Sequence, residues 1–129
     1  MVQIVSEIKL THSLIALRSD GILELHTNSE HVYEINDVKE NVEAFGKLTD
    51  YKKVPVLIIG GAFTSLSKEA REFMATEDSL KYSLCEAFLL ASLPQKILIN
   101  FYIKVNKPLV PTVVFTNKEK AVDWLKSFL

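Results

Sequence analysis

Hydroxyl residues gather behind two glycines in IIGGAFTSLSKEAREF, residues 58–73. Gly60 and Gly61 would let the backbone approach a ligand closely, and Thr64, Ser65 and Ser67 precede a helical segment. The positive end of a helix and its unpaired N–H groups can hold phosphate or a phosphorylated hydroxyl. The stretch is therefore a candidate phosphate or regulatory turn. It lacks the GxxxxGK[ST] and GxGxxG spacings of nucleotide-binding loops. In the plainer reading, the glycines relieve strain where a strand becomes a helix and Ser65 or Ser67 caps that helix. The cap is the favoured reading.

Other residues able to do chemistry are sparse. His12, His26 and His31 lie in the N-terminal strand region, where His26 shares a strand face with Glu24 and Ile22. Solvation accounts for His26 and His31, and a metal would need a further ligand at a spacing the sequence does not offer. Cys85 is the one cysteine, which excludes an intramolecular disulfide and a Cys-based metal cluster, and it reads as a small core residue. There is no GxSxG motif. Glu40, Glu43, Glu69, Glu72, Glu77 and Asp78 are interspersed with Lys and Arg, as solvated carboxylates are. No acid, base, nucleophile and donor converge by spacing. The expectation is a non-enzymatic domain with no cofactor and no metal.

The elements that would position these residues follow from periodicity. Val2, Ile4, Ile8 and Leu10 alternate with polar residues, as in a strand with one buried face. Asp20-Gly21 between apolar segments marks a hairpin, and residues 31–35 suit a short edge strand. Ile35, Val38, Val42, Phe45 and Leu48 recur at three and four, predicting a helix over 37–48 capped by Asn36 or Asp37. VPVLIIG (54–60), CEAFLLAS (85–92) and VPTVVFT (110–116) are continuously apolar, as strands buried on both faces are. Between them fall a helix carrying Leu66, Ala70, Phe73 and Met74 and another over PQKILINFYIKVN, with Pro94 in its first turn. A last helix opens on Thr116 and Glu119, spaced as a capping box. The result is an α/β fold: antiparallel N-terminal strands, then parallel βαβ units in one mixed sheet with helices packed on it.

The helix after Pro94 carries more apolar surface than a sheet alone can cover. Ile97, Leu98, Ile99, Phe101, Tyr102, Ile103 and Val105 sweep an arc of roughly 240°, against a little over 100° for an ordinary surface helix. Lys96, Asn100, Lys104 and Lys107 share the remaining sector. Three covers are open: other elements of the chain, a second copy in a symmetric homodimer, or a lipid or other apolar ligand with Lys96, Lys104 and Lys107 at its anionic group. Ile99, Phe101, Tyr102, Ile103 and Val105 are the candidate dimer or ligand surface. A dimer would predict that Ile99→Asp or Ile103→Asp yields a soluble monomer. The homodimer ranks above the lipid, because so short a chain has little core to spare for a deep pocket.

With 129 residues, of which 48% are hydrophobic and 24% charged, the chain suits one globular domain over 1–129. Its 15 basic and 16 acidic residues create no overall field for nucleic acid. The N-terminus lacks a basic region followed by an apolar block, so no signal peptide is expected. Glu86, Pro94, Gln95 and Lys96 interrupt the most apolar stretch, 84–103, and no transmembrane segment is expected. A soluble, cytoplasmic protein is the expectation.

The DG hairpin, the amphipathic helix, the VLII strand and the hydroxyl-rich turn together resemble the STAS family, the sulfate-transporter and anti-sigma-factor-antagonist domain. SLPQKILINFYIKVNKPLVPTVVFTNKEKAVDWL is similar to a group of small bacterial STAS-like proteins of unassigned function, related to CRAL-TRIO-type lipid-binding domains. The resemblance covers roughly residues 12–129. It implies the STAS fold and a regulatory domain with a protein partner. In STAS regulators an Asp-Ser pair followed by Gly opens the helix after the central strand, and a partner kinase phosphorylates the serine. Here the region reads Ala62-Phe63-Thr64-Ser65-Leu66-Ser67-Lys68: the hydroxyls are present, the preceding aspartate and nearby glycine are not.

Overall fold

The computed structural model describes residues 1–129. Six strands form one mixed sheet: β1 (Ile4–Lys9), β2 (Ser13–Arg18), β3 (Leu23–Thr27), β5 (Val54–Ile59), β7 (Ser83–Leu89) and β8 (Thr112–Phe115). In space they run in that order. β1, β2 and β3 pair antiparallel, while β3, β5, β7 and β8 are parallel. The expected α/β class and mixed sheet are thus observed. Asp20-Gly21 makes the β2–β3 turn, with Gly21 at φ 90°. A β-bulge between Ile4 and Ser6 breaks the alternation of β1, so Val2 and Ile4 are exposed and only Ile8 and Leu10 pack inward.

The parallel strands advance in one direction across the sheet. Right-handed crossovers then put every connecting helix on the same face. That face carries α1 (Ile35–Thr49) and α4 (Leu93–Phe101), which continues into a π-helical turn, Tyr102–Asn106. Rows such as Leu25, Ile58, Phe88 and Val114 meet Phe45, Ile99 and Tyr102 there. The alternate row, Leu57 and Ala87, turns to the opposite face and meets Ala121 and Leu125 of α5 (Lys118–Lys126). Cys85 belongs to this second core, fully buried.

The segments around the glycine turn differ most from the periodic reading. Leu66 begins no helix: β6 (Ser65–Leu66) pairs in parallel with β4 (Val32–Tyr33) as a separate ribbon. The β4 residues therefore do not extend the main sheet. A seven-residue α2 (Lys68–Met74) and a single-turn α3 (Glu77–Leu80) follow. Ser67 caps α2, its Oγ accepting from Ala70 N at 3.1 Å, as one of the two serines was expected to do. Two other caps shift. Glu34 caps α1, with Asp37 reaching back to the Glu34 N–H, in place of Asn36 or Asp37. Asn117 caps α5, accepting from Lys120 N at 2.9 Å, in place of Thr116. No helix is long and apolar enough to cross a membrane.

Candidate functional site

The parallel strands β3, β5 and β7 end together at Thr27, Ile59 and Leu89, where open α/β sheets bind ligands. Over these ends lies an apolar pocket of about 70 Å³. Its floor is buried Leu25, Ile58, Phe88, Leu90 and Ile99. Its rim is half-buried: Gly60 and Thr64 from the turn, Leu66 from β6, Met74 from α2 and Leu98 from α4. The pocket thus opens between α4 and the glycine turn.

The turn is fastened to its surroundings. Thr27 Oγ1 accepts from Gly61 N at 2.7 Å, and Thr64 Oγ1 donates to the Asn28 carbonyl at 2.5 Å. Glu30 N donates to Ala62 O, and Ser65 N to His31 O. A Cβ on Gly61 would lie 2.6 Å from the Thr27 carbonyl oxygen and 2.9 Å from Ser29 N, so only glycine permits this approach. A Cβ on Gly60 would strike Leu90 at 2.8 Å. The two glycines therefore serve close packing against protein. Thr64 and Ser67 have their hydroxyls engaged in the turn and the cap, while Ser65 sits half-buried in β6.

Gln95 closes the pocket from the α4 side, a role its sequence position conceals. Ser92 caps α4 and Gln95 occupies the third position, the spacing of a capping box. The side chain instead crosses to the turn, where Nε2 donates to Gly61 O at 2.7 Å and lies 3.4 Å from Thr64 O.

The expected α4 surface divides in two. Ile99 (4% exposed) and Tyr102 (0%) face the core, and Ile103 is half-buried against it. These three are not available to a second copy, and Ile99→Asp or Ile103→Asp would strike the core. The 240° arc included both the core stripe and the crest, which periodicity alone cannot separate. The crest itself is uncovered: Leu93, Ile97, Phe101 and Val105, at four-residue spacing, are 67, 61, 49 and 55% exposed. The Arg71 guanidinium lies 5.7 Å from the Phe101 ring centre, which places α2 beside the crest. Lys104 and Lys107 are exposed and Lys96 half-buried.

Polar clusters elsewhere are structural. Ser13 Oγ is 2.8 Å from His12 Nδ1, and His12 Nε2 is 3.1 Å from Glu40 Oε2. The order serine, histidine, carboxylate is that of a hydrolytic triad. Ser13 is only 1% exposed and its hydroxyl also meets that of Tyr33 at 3.0 Å, so no acyl group reaches it. His12, grouped in the sequence with His26 and His31, is buried just before β2, where it reaches Glu40 of α1. His31 and His26 are partly exposed and paired, with Asp37 at 2.9 Å and Glu24 at 2.8 Å. Burial pushes the Cys85 thiol up to about 12, far from a nucleophilic thiolate.

No curated protein and no solved structure matches the chain. A family model described as a domain of unknown function, DUF7793, matches residues 15–129, and the chain belongs to that family.

Proposed function

We propose that this is a non-enzymatic, STAS-like regulatory or protein-interaction domain that acts as a homodimer through the outer face of α4, in a cytoplasmic setting. One observation carries the reading: Leu93, Ile97, Phe101 and Val105 form an uncovered apolar crest beside an apolar pocket. Contiguous exposed apolar surface of this kind marks interaction sites. Interfaces draw their affinity from aromatic or aliphatic anchors seated in such pockets. Antiparallel strands followed by alternating helices and strands support the STAS-like part of the reading.

Sedimentation equilibrium of the wild type and of Ile97→Asp tests it. Ile97 is mostly exposed, so the substitution leaves the fold intact. A concentration-dependent dimer that becomes a folded monomer in Ile97→Asp is the expected result. A wild type that stays monomeric at its highest soluble concentration overturns the reading.

The pocket also supports a second reading, binding of a small apolar molecule. Its volume of about 70 Å³ is well under the roughly 150 Å³ of an enclosed site for benzene. A lipid chain would require α4 to move away, so the ligand would be a short apolar group. Thermal unfolding with small hydrocarbons checks this: a rise in Tm that Leu98→Trp abolishes supports it, and no rise rejects it.

A further inference from the structure

Phe63 stands at the tip of the glycine turn with 82% of its surface exposed. Its φ is 58°, the left-handed region, which a non-glycine residue occupies only at a steric cost. The residues around it are held by the Gly61–Thr27, Ala62–Glu30 and Thr64–Asn28 hydrogen bonds. A strained but well-fastened backbone thus carries an aromatic ring away from its own protein. Gly60 and Thr64, close to Phe63 on either side, line the pocket. An apolar arm and an apolar pocket therefore lie next to each other on one face.

We propose that Phe63 is the reciprocal anchor of the dimer: each ring enters the other copy's pocket edge-first and packs its outer edge on the α4 crest. The proposal rests on the homodimer reading and names its contact. A two-fold axis requires that if residue i touches j, then j touches i. An arm beside a pocket satisfies that condition with a single kind of contact, used twice. The pocket admits the leading edge of a phenyl ring, and Ile97 and Phe101 receive the rest.

Area agrees with a second copy as the occupant. Phe63, Leu93, Ile97, Phe101 and Val105 together present roughly 500–600 Å² of side-chain surface per copy, so a symmetric pair covers about 1,000–1,200 Å², the threshold for a specific interface. α2 carries Glu69 and Glu72 against Lys68 and Arg71 and so has no net charge, with Arg71 beside the crest.

Sedimentation equilibrium of the wild type, Phe63→Ala and Ile97→Asp tests the anchor, with circular dichroism melts as the folding control. The expected result is a wild-type dimer whose Kd rises at least about 100-fold in Phe63→Ala, since two anchors are lost per dimer. The melt of the Phe63→Ala monomer should match that of the Ile97→Asp monomer, because the ring makes few contacts within its own chain. A dimer broken by Ile97→Asp but unchanged by Phe63→Ala overturns the anchor and leaves the α4 dimer standing. A wild-type monomer, or a dimer that neither substitution weakens, overturns both.

Discussion

Gln95 Nε2 donates to the Gly61 carbonyl oxygen at 2.7 Å, which ties the first turn of α4 to the turn that carries Phe63. With the 3.4 Å approach of the same Nε2 to Thr64 O, the bond ties together two elements that flank the apolar pocket. Gln95→Ala should leave the Gly61 carbonyl without its side-chain donor and lower stability by about 1–2 kcal/mol. Hydrogen exchange should rise at residues 61–66 and 93–97 and stay unchanged in β5 and β7. Uniformly faster exchange would place Gln95 in the global core instead.

A second expectation concerns Glu86, which faces the α1 side of the sheet with only 5% exposure. Its side chain accepts a hydrogen bond from Ser83 Oγ at 3.0 Å, and burial raises its carboxyl to about 7. A group whose folded value lies above its unfolded value of 4.5 holds its proton more tightly in the native state. Stability should therefore fall as pH rises from 4.5 towards 7, and the loss persists above that. Glu86→Gln keeps an acceptor for Ser83 and removes the ionisation. Urea denaturation should show the variant close to wild type at pH 5 and more stable at pH 8, by on the order of 3 kcal/mol. Parallel pH profiles for the two proteins would refute the assignment.

Much of the architecture could be read from the sequence, because long apolar runs in β5 and β7 and the spacing of Val38, Val42 and Phe45 leave little choice of element. The short pieces were different. Leu66 fits a helical pattern with Ala70 and Phe73, yet pairing with β4 takes it into an extended ribbon, and two strand residues carry no period of their own. In the same way, Asn117 outcompeted Thr116 as the α5 cap by a shift of one residue. The glycine turn was visible as a turn and its cap was anticipated; its contacts were not. The pocket draws Leu25, Ile58, Met74, Phe88 and Leu98 from five elements, and no local spacing encodes such a meeting. Gln95 could have been suspected from the SxxQ spacing, although that pattern names a different bond.

Gly61→Ala should be the most damaging single change in the turn. The added Cβ would meet backbone atoms at 2.6 and 2.9 Å, which cannot rotate away as a side chain can. Overpacking of this kind costs about 1–3 kcal/mol. Gly60→Ala meets only the flexible end of Leu90 and should cost less. Thermal melts of the two variants side by side give the comparison, and an equal loss in both would deny Gly61 its special role.

Glu24 provides a pH dependence opposite to that of Glu86. On the α5 face it sits 2.8 Å from His26 Nε2, accepts from Arg18 Nη1 at 3.2 Å and has Lys118 Nζ at 3.7 Å. The His26 hydrogen bond, with the Lys118, His26 and Arg18 charges behind it, outweighs burial and holds the carboxyl at about 2. Its contribution is therefore complete above the unfolded value of 4.5 and is lost as pH falls through about 2. Glu24→Gln leaves Arg18, only 7% exposed, with Asp20 as its single carboxylate. Because Asp20 still holds Arg18 through two bonds, the cost is that of lost charged hydrogen bonds, about 1–3 kcal/mol. Urea denaturation at pH 7 should show a loss in that range, shrinking towards zero as pH approaches 2. A gap that remains constant with pH would mean that the substitution acts through packing, and that the charge of Glu24 contributes nothing.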